Sequence, residues 1–308
     1  MPLACTLGDT CHIQHLPDHA PGPEIRDFLC GGLSYDGHDG TDFALPSLAA
    51  MRAGVDVLAA AAGQVVGIRD GMDDVLYDPE SAAIDGRECG NGVVIRHADG
   101  WETQYCHMKQ GSVSVRSGDT VAPGDRLGQV GLSGQTQFPH LHLAVRHDGR
   151  SVDPFAPEAP DACQPDAPWS PDRRAALSAD DLWARTPPLS PGGLIQVGFA
   201  PALPEYDAIK DGRAAHATLP DDAPAVVIYG FAYGGQPGDV LRLDITGPGG
   251  QPFHTREVEL TRAQAQLFRA SGRRLTAPAW PRGTYDGRVT LLRDGLPLAT
   301  MATQLRID

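Results

Sequence analysis

At 308 residues, 41% of them hydrophobic and 21% charged, the chain has the make-up of a soluble globular protein of two domains, with no apolar run able to span a membrane. A formal charge of -14 lacks the basic stripe that a phosphate backbone requires, so nucleic acid is not an expected partner. Thirty-six glycines and 27 prolines against 6% aromatic residues favour turn-rich β architecture.

Residues 1–30 hold Cys5, Cys11 and Cys30 together with His12, His15 and His19. They read as an irregular Cys-rich extension pinned by disulfides, without assigned chemistry. The other cysteines are Cys89, Cys106 and Cys163, and no CxxC spacing occurs. An even, widely spaced set points to disulfides and an oxidising compartment. No basic segment leading into an apolar stretch opens the chain, so the expectation is a periplasmic or secreted protein whose export signal is absent from this version.

From Gly31 the pattern sharpens. His38 and Asp42 sit among Gly37 and Gly40, which let the backbone turn tightly and approach an ion closely, in a loop running into a strand at Phe43–Leu45. Residues 55–68 read as two short strands folded about Ala62-Gly63. The acidic stretch 70–90 reads as a solvated loop, because it lacks the ligand spacing of a calcium site.

Val93–His97 and Trp101–His107 flank an Asp99-Gly100 turn and form a hairpin. Its register sets Val93 opposite Tyr105 and Gly92 opposite Cys106, so Cys89 lies close enough to pair with Cys106. By alternation His107 shares a face with Thr103 and Tyr105 while Glu102 and Cys106 point away, which makes Glu102 a poor general base for a site that His107 faces. Brief strands around Val113–Val115, Thr120 and Leu127 follow, separated by Gly-Asp turns. His140 and His142 then occupy one face of a strand through Val145, and His147 falls on the other. No segment of residues 31–148 has a sustained helical period.

After Phe155 a Pro-rich stretch reads as a stiff linker, with a short helix at 177–186 capped by Ser178. Beyond it, short strands at 194–199, 225–231, 240–245, 253–260, 285–292 and 298–307 suggest an antiparallel β-sandwich of Ig-like kind. The chain is therefore expected to be all-β: an extension at 1–30, a small antiparallel sheet or open barrel-like domain with a groove at 31–155, a linker at 156–190 and a sandwich at 191–308.

His38, Asp42, His107, His140 and His142 are the polar groups that this reading leaves free, and one carboxylate among four imidazoles suits a borderline divalent cation. The motifs Gly37-His38-Asp39-Gly40-Thr41-Asp42-Phe43, Tyr105-Cys106-His107-Met108 and Pro139-His140-Leu141-His142-Leu143 resemble those of lysostaphin-type (LytM-like) zinc metallopeptidases, over roughly residues 30–155. The resemblance implies Zn2+ held by His38, Asp42 and His142. It makes His107 and His140 the catalytic pair, either of which takes the proton of water while the other stabilises the oxyanion. The implied substrate is the peptide of bacterial peptidoglycan, cut by an endopeptidase. Phe138, where glycine is usual, and Met108, where leucine is usual, are departures bearing on loop shape and substrate preference. The alternative is a non-catalytic protein of the same fold that binds the wall or activates another hydrolase. A protein partner is a further expectation for the C-terminal domain.

Overall fold

Along His140–His147, Leu141, Leu143 and Val145 alternate with His140, His142, Ala144 and Arg146, and this decides which side of a sheet becomes core and which becomes cleft. The computed structural model describes residues 1–78, 86–157 and 181–308, and the chain divides into two compact units, Met1–Pro191 and Gly192–Asp308. In both, the regular secondary structure of the described residues is almost entirely strand.

In the first unit the described strands are β1 (His12–His15), β2 (Thr41–Ala44), β3 (Asp56–Leu58), β4 (Gly63–Arg69), β5 (Asn91–Arg96), β6 (Trp101–Met108), β7 (Thr120–Val121), β8 (Arg126–Gln129), β9 (His140–His147) and β10 (Arg150–Ser151). One antiparallel sheet runs in the order β1-β2-β9-β6-β5-β4-β7, with β10 also on β9, and β3 pairs with β8 alone. Phe43, Val93, Ile95, Tyr105, Leu141 and Leu143 fill its core side and are all essentially inaccessible. Removing each from water contributes roughly 1.5–3 kcal/mol.

The structure corrects several expectations locally. Residues 56–58 and 63–69 do not form a hairpin with each other, because β3 takes β8 as its partner. Leu48–Ala53 is a short helix whose N-cap is Ser47, its hydroxyl accepting from the Ala50 amide; it is too short to show a period. Val113–Val115 is irregular. The acidic loop is anchored as well as solvated: Asp74 accepts the Gln110 and Leu132 amides at 3.0 and 2.7 Å, and Asp70 accepts that of Gly111 at 2.8 Å. Of the helix expected at 177–186, the first four residues lie outside the described residues, and 181–186 contain no helix.

Cys89 and Cys106 are joined, as their hairpin register predicts, and Cys5 is joined to Cys11. Cys30 is also disulfide-bonded, while Cys163 lies outside the described residues.

The second unit is a two-sheet sandwich. Its strands are β11 (Gly193–Ala200), β12 (Thr218–Leu219), β13 (Ala225–Gly235), β14 (Val240–Thr246), β15 (Pro252–Glu259), β16 (Gln264–Arg274), β17 (Gly283–Arg293) and β18 (Leu296–Ile307). The sheets β11-β13-β16 and β12-β18-β17-β14-β15 close on one core containing Phe199, Ile228, Leu243, Tyr285, Val289 and Leu305. The strand β16 and the short parallel pairing of β12 with β18 are additions to the sequence reading. Among the described residues no helix is long and apolar enough to cross a membrane.

Candidate metal centre

Strand register assembles the centre. Asp42 on β2 lies directly opposite His142 on β9, and Ala44 opposite His140, so Asp42, His140 and His142 project from one face. His38 reaches the same point from the glycine-rich loop before β2. The close approach requires Gly40, since a Cβ there would lie 2.6 Å from His142 Nε2 and 2.7 Å from the Leu143 carbonyl oxygen.

Asp42 Oδ1 is 3.1 Å from His38 Nε2 and 3.0 Å from His142 Nδ1, and these two nitrogens are 3.1 Å apart. The other ring nitrogens say what these atoms carry. His38 Nδ1 lies 2.8 Å from the Leu16 carbonyl and His142 Nε2 lies 3.3 Å from the Asp39 carboxylate. Such oxygens only accept, so each outer nitrogen carries a proton, and the inner nitrogen presents a lone pair whenever its ring is neutral, as a metal ligand must be. Two ring nitrogens and a carboxylate oxygen in mutual contact repel unless they share a cation, a proton or a metal ion. Tetrahedral zinc with bonds of about 2.0–2.2 Å sets its ligand atoms roughly 3.3 Å apart, so this triangle fits the ion. His38, Asp42 and His142 are the His/Cys/Asp/Glu group of the described residues that can hold a metal in this way.

His107 arrives by a device that alternation does not foresee. Val93 pairs with Tyr105, but the next pair is Asn91 with Met108, so Cys106 and His107 together oppose Gly92 in a β-bulge. His107 adopts φ 61°, its amide donates to the Cys89 carbonyl and its own carbonyl accepts from Gly131. The bulge turns His107 onto the face that carries His142, which lies directly opposite Cys106. The face assignment from alternation is thereby corrected: Glu102 and Cys106 share the cleft face, and Thr103 and Tyr105 face the core. Glu102 is still remote from the imidazoles, paired with Arg146 at 3.6 Å. The His107 ring lies 4.6 Å from that of His140 between centroids, and its Nδ1–H donates to the Ser133 carbonyl at 2.8 Å, leaving the Nε2 lone pair free of that bond. His140 has acceptors at both nitrogens: the Phe138 carbonyl 2.9 Å from Nδ1, and Asp42 Oδ1 3.4 Å from Nε2. His147, expected on the opposite side, stacks on Trp101 at 4.3 Å and is half-exposed.

A residue without assigned chemistry completes the surroundings. His15 is opposite Asp42 in the β1–β2 register, and its Nδ1 lies 2.9 Å from Asp42 Oδ2. His12 instead bonds Gln14, His19 bonds Asp153, and Cys11 is in its disulfide. Nothing in the spacing of residues 11–19 singles out His15, whose partner is 27 positions away.

Electrostatics follow from this packing. Burial favours a protonated Asp42, but the charges of His140 and His38 and hydrogen bonds from His140 and His142 outweigh it and hold the carboxyl well below its ordinary range. Burial lowers His142, yet its bonds to Asp39 and Asp42 push it up to about 9, so a proton and a metal ion compete for its inner nitrogen. For His107 burial dominates and, reinforced by His140 and His142, holds the ring well below the usual imidazole range, so it is a neutral base.

Asp42, His107, His140 and His142 line a cleft of about 660 Å³, with Tyr35, Tyr77, Phe138, Gln104, Glu88 and Arg146 on its walls. Phe138 stacks on His140 at 4.3 Å. A groove of about 730 Å³ on the second unit, among Asp244, Asp286 and Arg288, has no histidine or cysteine in its lining. Size alone therefore does not locate the chemistry.

Residues 36–154 match Peptidase family M23. Similar curated proteins include the cell division protein DipM of Caulobacter vibrioides, 37% identical over 76 residues that make up 25% of this chain and 11% of that protein. The DD-carboxypeptidase/endopeptidase Mpg of Neisseria meningitidis is 31% identical over 123 residues, 40% of this chain and 23% of Mpg. The peptidoglycan DD-endopeptidase ShyA of Vibrio cholerae is 32% identical over the same shares of each chain. The aligned stretches thus span less than a quarter of these relatives. Among solved structures, a zinc containing peptidase from Vibrio cholerae aligns at 26% identity over 46% of this chain and 38% of its own, with a TM-score of 0.30. The catalytic domain of the prophage-encoded M23 protein EnpA from Enterococcus faecalis aligns at 22% identity over 48% and 92%, with a TM-score of 0.33. Residues 36–154 of this chain are a domain of peptidase family M23.

Proposed function

We propose that the first unit is a zinc-dependent endopeptidase that hydrolyses peptide bonds of bacterial cell-wall peptidoglycan, outside the cytoplasm. The observation that carries this reading is the meeting of two inward ring nitrogens and one carboxylate oxygen at a cleft where two further imidazoles stand beside them. The name of ShyA supports the substrate class and those of Mpg and ShyA the endopeptidase activity, and the disulfides support an oxidising compartment.

His38, Asp42 and His142 would hold the zinc, which when bound supplies Lewis acidity to a water and to the scissile carbonyl. His107, neutral and oriented by the Ser133 carbonyl, takes the proton of the attacking water at Nε2. His140, with acceptors at both ring nitrogens, is placed to donate from Nε2 to the carbonyl oxygen as negative charge develops there. The proton held by His107 then passes to the leaving amine as the C–N bond breaks.

The test combines metal analysis with digestion of purified peptidoglycan by the wild type and by His107→Ala. The expected result is about one zinc per chain in both proteins, with new peptide ends from the wild type alone. Zinc without new ends from any wall preparation would instead favour a wall-binding or activating role.

A further inference from the structure

Resting on the metal reading above, we infer that His15 is a positioning residue of the metal centre, and that β1, which precedes the peptidase domain in sequence, forms part of its outer shell. The two oxygens of Asp42 are divided between two sets of partners. Oδ1 faces His38, His142 and His140 at 3.0–3.4 Å, and Oδ2 is 2.9 Å from His15 Nδ1. A carboxylate accepts, so the proton of this bond belongs to His15 Nδ1.

Both side chains are buried, His15 with 9% and Asp42 with 2% of their surface exposed. The His15 ring is held edge-on by Tyr35 at 5.3 Å and by Phe138 at 6.0 Å. The hydrogen bond therefore fixes the rotation of the carboxylate and leaves Oδ1 aimed at the centre. The next residue does the same for a second donor, since the Leu16 carbonyl accepts from His38 Nδ1 at 2.8 Å and so sets the tautomer that presents Nε2. Asp18 fastens the loop itself: its amide donates to the His38 carbonyl at 2.7 Å, and its carboxylate accepts the Gly37 amide at 3.1 Å. Partners of this kind orient ligands and govern metal affinity by about 10–100-fold.

The experiment measures the zinc dissociation constant of the full chain by competition with a chromophoric chelator, for the wild type, His15→Phe and His15→Asn. Phenylalanine keeps a ring between Tyr35 and Phe138 but has no donor; asparagine loses the ring and keeps an N–H near the position of Nδ1. The expected result is affinity weakened about 10–100-fold in His15→Phe and close to wild type in His15→Asn, with unchanged circular dichroism of the metal-free proteins. Equal affinity in His15→Phe and wild type overturns the assignment, as does a folded His15→Asn that loses as much as His15→Phe. Should His15→Phe fail to fold, His15→Ala replaces it in the same contrast. A wild type that takes up no zinc overturns the metal reading and this assignment with it, whereas the variant outcomes bear on His15 alone.

Discussion

Around Asp42, His38, His107 and His142 each commit one ring nitrogen to an acceptor outside the centre, and the proposed metal and base roles fall to the other nitrogen. For His107 the acceptor is the Ser133 carbonyl, so on the proposed mechanism substitution removes the base without removing a donor of the metal triangle. His107→Ala is expected to lower kcat on cell-wall peptide by about 10²–10⁴-fold while zinc content stays at the wild-type level, as metal analysis of the same preparation will show. The reverse pattern is expected at Gly40. A methyl group there meets His142 Nε2 and the Leu143 carbonyl oxygen, so Gly40→Ala displaces a donor and weakens zinc binding at least tenfold in chelator competition, an effect in the range of a disturbed outer shell. The two histidines of β9 and the pair His38 and Asp42 were legible from local spacing, since i, i+2 side chains share a strand face and glycines mark the close approach. His15 was not, because its only distinguishing feature is a contact across two paired strands.

Two elements carry the site, the bulged end of β6 and the edge strand β1. Cys89 and Cys106 tie the chain beside His107, with a sequence separation of 17. Closing a loop of that length stabilises by about 3 kcal/mol. A Cys89→Ser/Cys106→Ser double variant should lose about that much in urea unfolding, with the midpoint lowered and the m-value unchanged or increased, because the released unfolded chain exposes more surface. In β1, burial outweighs the Gln14 hydrogen bond and lowers His12 from 6.5 to about 4. The unfolded chain therefore takes up this proton first as pH falls. Stability is fully present above about pH 6.5, declines through the interval and has lost about 3 kcal/mol near pH 4. His12→Asn should flatten the dependence of unfolding free energy on pH between 6.5 and 4 by close to one proton. The same two elements mark where sequence reading reached its limit. The hairpin and its disulfide followed from the Asp-Gly turn, but the bulge at His107 inverted the faces assigned by strict alternation, because one extra residue shifts everything beyond it. The strand β16 escaped notice since its outward polar residues and Gly272 blur the period of two.

At the scale of the whole molecule, each unit buries its own apolar side chains. A chain ending at Pro191 is expected to bind zinc within about threefold of the full-length affinity, since additivity between separate cores holds to a few tenths of a kcal/mol; calorimetric titration of both forms tests this. Binding to intact cell wall by the two forms then assigns the sandwich its role. Sequence alone determined the all-β class, the hairpin and the Cys89–Cys106 pair and singled out His38, Asp42, His107, His140 and His142, which the fold brings together, because alternation, turn chemistry and motif spacing are local properties. Tertiary structure alone decided which face of β6 meets the cleft, which nitrogen of His38 and of His107 carries the proton and that His15 touches Asp42. These depend on register, on a backbone conformation with positive φ, and on hydrogen-bond partners brought together from distant parts of the chain, none of which spacing along one strand encodes.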